Sequence, residues 1–260
     1  MQDTQTFDSA GVDIAFTETG AGTRAVPVVL IHGFASNAAT NWVSTGWVET
    51  LRREGYRVVA LDNLGHGRSA KLYDLADYGA PLMAEDARRL LDHLGIARAH
   101  VIGYSMGARI AAFLAIAHPD RIASLVFGGL GINMVRGMAG TGPIAHALEA
   151  PSIDDVTNPT ARTFRDFAEQ TKSDLKALAA CIRSARAPLT REMLAEIRSP
   201  VLVAVGEHDV VGGSAEELAK IIPGARAYII PGREHMKAVG DKGFKAETIA
   251  FLGSVDGATL

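Results

Sequence analysis

Short apolar runs alternate with amphipathic stretches along most of the chain. Residues 26–31 are almost entirely aliphatic, as in a strand that is buried on both faces. Residues 84–94 instead repeat apolar side chains at the spacing of one helix face. The full pattern predicts an N-terminal hairpin over residues 6–17, strands at residues 26–31, 57–61, 100–103, 124–128, 201–205 and 226–230, and helices at residues 47–54, 84–94, 106–118 and 243–252. Such alternation predicts an α/β fold with a mostly parallel central sheet and helices on both faces.

The alternation is interrupted after the sixth strand. Apolar residues at helical spacing predict two helices there, which we expect to begin after Ser173 and after Thr190 as N-caps. Phe164 and Phe167 suggest a third helix. Residues 131–159 are rich in Gly and Pro, and we interpret them as loop.

These patterns predict one core domain with an insertion. The core consists of residues 1–130 and 200–260, and residues 131–199 form a small helical lid between two strands of the sheet. The inserted segment is too short to be a second domain of ordinary size.

Composition narrows the class of protein. The 260 residues are 48% hydrophobic and 21% charged, which is typical of a globular chain and not of a disordered one. The net charge of −3 and the lack of a basic run argue against a nucleic-acid partner. The single cysteine, Cys181, fits a reducing compartment. With neither a signal peptide nor a membrane span in the pattern, we expect a soluble, cytoplasmic protein; the oligomeric state is left open.

The sharpest chemical feature is the pentapeptide Gly103-Tyr104-Ser105-Met106-Gly107. It follows a predicted strand and opens a predicted helix, which is the context of a nucleophile elbow. Strand and helix approach closely in such a turn, so the positions two before and two after the serine must be very small. We therefore predict Ser105 to be a catalytic nucleophile.

A serine hydroxyl needs a base that takes its proton. In folds with this elbow, an acid and then a histidine follow the serine along the chain. Of the two histidines in the later part of the sheet domain, only His235 also follows a suitable acid. Asp209, just after the strand at residues 201–205, is the expected acid, and Glu207 is its competitor.

The oxyanion of an acyl-transfer reaction needs N–H donors that are already in place. We expect one from the backbone of Met106, directly after the nucleophile. The second should come from the loop after the strand at residues 26–31, where we choose the backbone N–H of Phe34. His32 in the same loop is interpreted as structural.

No cofactor or metal is predicted. The His, Cys, Asp and Glu residues show no ligand spacing such as H-E-x-x-H. The Gly-rich segments at residues 20–22 and 128–131 lack the patterns that bind phosphate.

Taken together, these motifs resemble those of the α/β-hydrolase superfamily. The matching pieces follow in order along nearly the whole chain: His32-Gly33-Phe34, the turn at residues 62–69, the Ser105 elbow, Asp209 and His235. The resemblance is greatest to the small-lidded esterases, lactonases and cofactor-free haloperoxidases. It implies Ser105 as nucleophile, His235 as base and Asp209 as the group that orients the base. A serine at the elbow argues against the dehalogenases and epoxide hydrolases of the superfamily, which have an aspartate there. Glu234 departs from the glycine that relatives often have before the histidine.

The predicted function is therefore hydrolysis of small to medium carboxylic esters, with a small-molecule ester as the substrate. Apolar side chains of the lid are expected to line its pocket: Met134, Met138, Ile144, Leu148, Phe164 and Phe167. Lactone hydrolysis, C–C bond hydrolysis and perhydrolysis use the same triad and stay open. A transferase, in which an alcohol or amine intercepts the acyl-enzyme, and a small-molecule receptor with a retained triad are further alternatives.

Overall fold

The computed structural model describes residues 3–137, 141–184 and 187–258. Its eight strands form one sheet. The strands are β1 (Gln5–Asp8), β2 (Asp13–Glu18), β3 (Val28–Ile31), β4 (Val58–Leu61), β5 (Ala99–Tyr104), β6 (Ile122–Gly128), β7 (Val201–Gly206) and β8 (Arg226–Ile230).

The order of strands in the sheet is β1-β2-β4-β3-β5-β6-β7-β8. The β1–β2 and β2–β4 pairs are antiparallel, and every later pair is parallel. The carboxyl ends of β3, β5, β6 and β7 therefore meet at one edge, where open α/β sheets hold their ligands.

Both faces of the sheet are covered, which explains the unbroken apolar runs of the central strands. Successive side chains alternate between the faces: Val29 and Ile31 belong to one buried cluster, and Val28 and Leu30 to the other. All four are at most 1% exposed. The predicted α/β fold with a mostly parallel sheet is confirmed.

Eleven α-helices accompany the strands in the described part of the chain. They are α1 (Trp47–Arg53), α2 (Ala80–His93), α3 (Met106–Ala117), α4 (Asn133–Arg136), α5 (Thr141–Glu149), α6 (Pro159–Gln170), α7 (Leu175–Arg183), α8 (Arg191–Ala195), α9 (Ala215–Ala219), α10 (His235–Ala238) and α11 (Lys242–Gly257). A π-helical turn spans Ala39–Val43, and short 3₁₀ turns span Leu75–Asp77, Pro119–Arg121 and Ile153–Asp155. Helices α2 and α3 pack in one buried cluster, and α1 and α11 in the other.

Helices α4 to α8 lie between β6 and β7 in the chain. Helix α5 packs against both α6 and α7. The interpretation of residues 131–159 as loop was wrong, since α4 and α5 lie there. The N-cap of α7 is Asp174, one residue after the predicted Ser173, whereas Thr190 caps α8 as predicted.

No helix among the described residues is long and apolar enough to cross a lipid bilayer.

Candidate active site

Ser105 sits between β5 and α3 in a backbone conformation that non-glycine residues rarely adopt. Its φ is +53° and its ψ is −112°, and such strain concentrates at functional sites. The flanking glycines make the turn possible. A Cβ on Gly103 would collide with the backbone of Gly107, and a Cβ on Gly107 with the backbone carbonyl of Ile31. The turn therefore presents the Ser105 side chain at the carboxyl edge of the sheet.

Three side chains that are far apart in the sequence meet at this edge. His235 Nε2 lies 3.1 Å from Ser105 Oγ, and His235 Nδ1 lies 2.7 Å from Asp209 Oδ2. A carboxylate only accepts hydrogen bonds, so Nδ1 carries the proton of the neutral imidazole. Nε2 then faces the serine hydroxyl with its lone pair, which is the orientation that a general base requires.

The turn after β7 contains both candidate acids, Asp209 and Glu207, and gives them different partners. The Asp209 side chain is fully buried. Its Oδ1 accepts the N–H groups of Val211 (2.9 Å) and Gly212 (2.8 Å), which leaves Oδ2 for His235. Glu207 is exposed and accepts the N–H of Gly232 at 2.8 Å. Asp209 is thus the acid in contact with the histidine.

Tyr104 is a site residue that the sequence reasoning left without a role. Its hydroxyl donates to the backbone carbonyl of His235 at 2.5 Å, and the two rings lie 5.6 Å apart. Burial, and then the nearby charges of Asp209 and Glu234, raise the pKa of Tyr104 well above its usual value. The phenol therefore stays protonated and fixes the start of α10, on which His235 lies.

The two expected oxyanion donors flank the serine. Phe34 and Met106 line the same cavity as Ser105. Among the hydrogen bonds of the described residues, neither backbone N–H has a protein acceptor. Both are therefore available to an oxygen bound at Ser105.

Buried polar side chains hold the loop that carries Phe34. Asn41 Oδ1 accepts the N–H of Gly33 at 3.2 Å. His32 Nδ1 donates to the Gly33 carbonyl at 2.7 Å, while Nε2 accepts the N–H of Asn63 at 2.9 Å. Burial lowers the pKa of His32 to about 4, so the ring stays neutral and keeps this bridging role. These contacts support the structural role expected for His32.

Two cavities meet at Ser105, and both also contact Phe34 and Phe164. The first encloses about 870 Å³ of space, part of it open solvent. Its walls are mainly apolar side chains: Phe34, Met83, Met106, Leu130, Phe164, Cys181, Ile182 and Val211. The second encloses about 590 Å³ and also contacts His235 and Phe167.

The expected pocket residues divide into two groups. Phe164 and Phe167 line the cavities at Ser105. Met134, Ile144 and Leu148 are at most 2% exposed and belong to the packed core; among the described residues that line these two cavities, none of the three is present. Ile144 and Leu148 lie on α5, which packs on α6 and α7. Met138 lies outside the described residues.

The described part of the chain contains no group of three His, Cys, Asp or Glu side chains that could hold a metal ion.

Comparison with known proteins agrees with this fold. The sequence model of the alpha/beta hydrolase fold family matches residues 26–187, more than half of the chain. A solved structure of a hydrolase from Pseudomonas aeruginosa PA01 superposes with a TM-score of 0.72 at 26% identity, covering 96% of this chain and 98% of that one.

Two curated proteins are similar over shorter regions. One is the dihydrolipoyllysine-residue acetyltransferase component of the acetoin cleaving system of Pseudomonas putida, 40% identical over 104 residues, which are 40% of this chain and 26% of that protein. The other is the 2-hydroxy-6-oxononadienedioate/2-hydroxy-6-oxononatrienedioate hydrolase of Burkholderia vietnamiensis (strain G4 / LMG 22486), 34% identical over 128 residues, which are 48% of this chain and 42% of that protein. The chain thus spans less than half the length of either relative.

Proposed function

The chain belongs to the alpha/beta-hydrolase family, and from this premise we propose that it hydrolyses small to medium carboxylic esters through an acyl-enzyme on Ser105. The observation that carries the proposal is the relay from Ser105 through His235 to Asp209, at 3.1 and 2.7 Å. The N–H groups of Phe34 and Met106, which have no acceptor among the described residues and line the same cavity as Ser105, support it.

The geometry supports a two-step reaction. Ser105 Oγ attacks the ester carbonyl carbon while His235 Nε2 takes the hydroxyl proton. The carbonyl oxygen becomes an oxyanion, which the N–H groups of Phe34 and Met106 stabilise. As the intermediate collapses, the C–O bond to the alcohol breaks and the alcohol leaves with the proton from Nε2. A water molecule then gives a proton to Nε2 and attacks the acyl carbon. The bond between the acyl carbon and Ser105 Oγ breaks, Oγ takes the proton back from Nε2, and the carboxylic acid departs.

Asp209 acts through the histidine. Its buried carboxylate keeps the proton of the neutral ring on Nδ1 and stabilises the imidazolium that forms after proton transfer. The contacts with Val211 and Gly212 hold the carboxylate in one orientation.

The first cavity fits the acyl group of the substrate. Met106, one of the proposed oxyanion donors, lines this cavity, so the acyl carbon lies at its entrance. Its apolar walls favour short to medium hydrocarbon chains, because each buried methylene contributes about 0.8 kcal/mol.

The segment of residues 131–199 serves as a lid over this site in our proposal. Phe164 of α6 and Cys181 and Ile182 of α7 line the first cavity. The Phe164 ring lies 6.0 Å from that of Phe34, and Thr171 donates to the carbonyl of Ala35 at 3.0 Å. The insertion thus lies directly against the loop that carries an oxyanion donor.

C–C bond hydrolysis is the second candidate, favoured by the similarity to the Burkholderia vietnamiensis hydrolase. The name of that relative describes dicarboxylate substrates. Of the described residues that line the two cavities, Arg109 is the one arginine or lysine. Its two Nη atoms donate to the backbone carbonyls of Met134 and Ala187. The lining therefore supports an uncharged ester over a dicarboxylate.

The proposal is tested by the turnover of p-nitrophenyl acetate, butyrate and octanoate. We expect wild-type protein to hydrolyse at least one of them and Ser105→Ala to lose more than about 10⁴-fold in kcat. Ser254→Ala, which removes an exposed serine on α11, is the control and should keep the wild-type rate. Equal rates for wild type and Ser105→Ala would contradict the proposal.

A further inference from the structure

The second cavity at Ser105 differs in chemistry from the first. Four of its lining side chains are polar and come from one stretch of the chain, namely Ser36, Thr40, Asn41 and Thr45. We call these four side chains the polar wall. They line the second cavity together with Ser105 and His235, whereas Met106 is among the described residues that line the first.

Ser36 contributes a hydroxyl to the polar wall. The residue is 3% exposed. Its backbone N–H donates to the carbonyl of Gly33 at 3.3 Å. Its hydroxyl, however, makes no hydrogen bond with any of the described residues. Because Ser36 lines the cavity, this hydroxyl is a candidate partner for a polar group of a bound molecule.

Asn41 contributes an amide to the polar wall of the same cavity. It is 6% exposed, and its Oδ1 faces the N–H of Gly33. The amide must therefore be oriented with Nδ2 away from that donor. Nδ2 is buried and has no partner in the part of the chain that the structure describes.

The local backbone places Asn41 in an unusual conformation. It lies in the π-helical turn Ala39–Val43, which is closed by the N–H of Ser44 donating to the Ala39 carbonyl at 2.9 Å. Isolated π turns are rare and occur frequently at functional sites. The turn carries Thr40 and Asn41 of the polar wall, and Asn41 links it to the loop of Gly33.

The direction of proton transfer decides which part of an ester this cavity holds. The leaving alcohol must receive its proton from His235 Nε2, and of the two cavities His235 lines only the second in the described structure. The acyl group points into the first cavity and the alcohol into the second. This assignment rests on the proposed ester hydrolysis.

We propose that the polar wall selects esters whose alcohol carries a second oxygen close to the ester bond, as in monoesters of a diol or a polyol. The Ser36 hydroxyl can donate to that oxygen or accept from it, and Asn41 Nδ2 can donate to it. A simple alkyl alcohol of the same size would leave both groups unpartnered, which disfavours its ester.

Two esters that differ by one group test this inference. In 2-hydroxyethyl butyrate a hydroxyl replaces the terminal methyl of propyl butyrate, while the acyl group is the same. The rate of butyrate release at constant pH gives kcat/KM for each ester. We expect wild type to prefer the hydroxyethyl ester by roughly tenfold, the size of one hydrogen bond of about 1.4 kcal/mol.

The decisive readout is how the preference changes in variants. Ser36→Ala removes the hydroxyl but keeps the backbone contact with Gly33, so the preference should fall several-fold below that of wild type. Asn41→Asp keeps an acceptor for the Gly33 N–H and removes the Nδ2 donor, and it should also reduce the preference. Ser44→Ala, an exposed neighbour outside the polar wall, should keep it. Any difference in intrinsic reactivity between the esters is the same for all proteins and cancels.

The outcomes separate this inference from the proposed function. Hydrolysis of both esters with the same preference in wild type, Ser36→Ala and Asn41→Asp would overturn only the proposal that the polar wall selects the alcohol. A protein that hydrolyses neither these two esters nor the p-nitrophenyl esters would overturn ester hydrolysis and this inference with it.

Discussion

At the scale of single residues, the proposed activity depends on the orientation of the His235 imidazole and on which of its nitrogens carries the proton. Asp209 accepts from Nδ1 of His235, and Nε2 then has only a lone pair to offer Ser105. The hydrogen bond to Asp209 thus determines which ring nitrogen of His235 carries the proton and which one can accept a proton. The proposed activity should therefore respond sharply to changes that keep shape but alter hydrogen-bond direction.

Asp209→Asn is such a change. An amide that still accepts from Val211 and Gly212 would present its NH₂ to His235, which forces the proton onto Nε2 and away from the orientation of a base. We expect kcat for p-nitrophenyl butyrate to fall about 10⁴-fold, with the free energy of unfolding measured by urea titration in parallel.

Glu207→Gln is the matched control, since it changes the neighbouring acid in the same turn. Glu207 is exposed and contacts the backbone of Gly232 rather than the histidine. Its substitution should leave kcat within about threefold of wild type, the effect of a surface change of about 0.5 kcal/mol. A larger loss for Glu207→Gln than for Asp209→Asn would reverse the assignment of the acid.

Motifs predict residues whose partners are close in the sequence. The elbow identified Ser105 because its flanking glycines are only two positions away. Tyr104 stands in the same pentapeptide, yet its partner, the carbonyl of His235, is 131 positions away. Nothing in the sequence marks that contact, so the role of Tyr104 emerges only from the fold.

At the scale of elements, the elbow depends on the close packing of α3 against β3. A Cβ on Gly107 would meet the backbone carbonyls of Ile31 and His32. Backbone atoms of a central strand cannot move aside as a flexible side chain can. The glycine is thus required by the packing of strand and helix, independently of the reaction.

Gly107→Ala should therefore destabilise the protein by about 3 kcal/mol, as overpacking in a core does. Gly253→Ala is the control, because Gly253 lies within α11 and a Cβ there meets nothing within 4 Å. That variant should gain about 0.5–1 kcal/mol from helix propensity. The free energy of unfolding from urea titration distinguishes them, and a Gly107→Ala protein as stable as wild type would refute the packing argument.

Helix α5 shows why the insertion was harder to predict than the core. Gly142 and Pro143 were interpreted as signs of a loop. They lie in the first turn of α5, where backbone N–H groups have no intrahelical partner and proline costs little. The apolar residues of α5 contact α6 and α7 and not the substrate cavities. Which neighbour an apolar face meets is decided by tertiary packing, which the periodicity of one helix does not reveal.

At the scale of the whole molecule, two neutral histidines are buried between β3 and the turn at residues 62–69. Burial lowers the pKa of His32 to about 4 and, together with the proximity of His32, lowers that of His66 to about 3. In the unfolded chain each titrates near its ordinary pKa of about 6.5. Below that pH the unfolded chain binds protons that the native protein excludes.

Stability should accordingly be complete above about pH 6.5 and fall as the pH is lowered toward 4. Each of these histidines adds a slope of about 1.4 kcal/mol per pH unit in that window. His66→Asn, whose Nδ2 takes the position of the ring Nδ1 and can donate to the Leu64 carbonyl, should lower the slope by the contribution of one histidine. Urea titrations at pH 4.5 to 7.5 measure it.

His208→Gln, which replaces an exposed histidine, is the control and should keep the wild-type slope. A wild-type free energy of unfolding that is constant from pH 7 to 4.5 would show that the buried pair does not limit acid stability.

The central claim, an acyl-enzyme on Ser105, is tested most directly by quenching the protein in acid during turnover of p-nitrophenyl butyrate and locating the label by peptide mass spectrometry. The account predicts one butyryl group on Ser105 in wild type and no label on that peptide in Ser105→Ala. A butyryl group on another residue, or continued multiple turnover by Ser105→Ala, would contradict it.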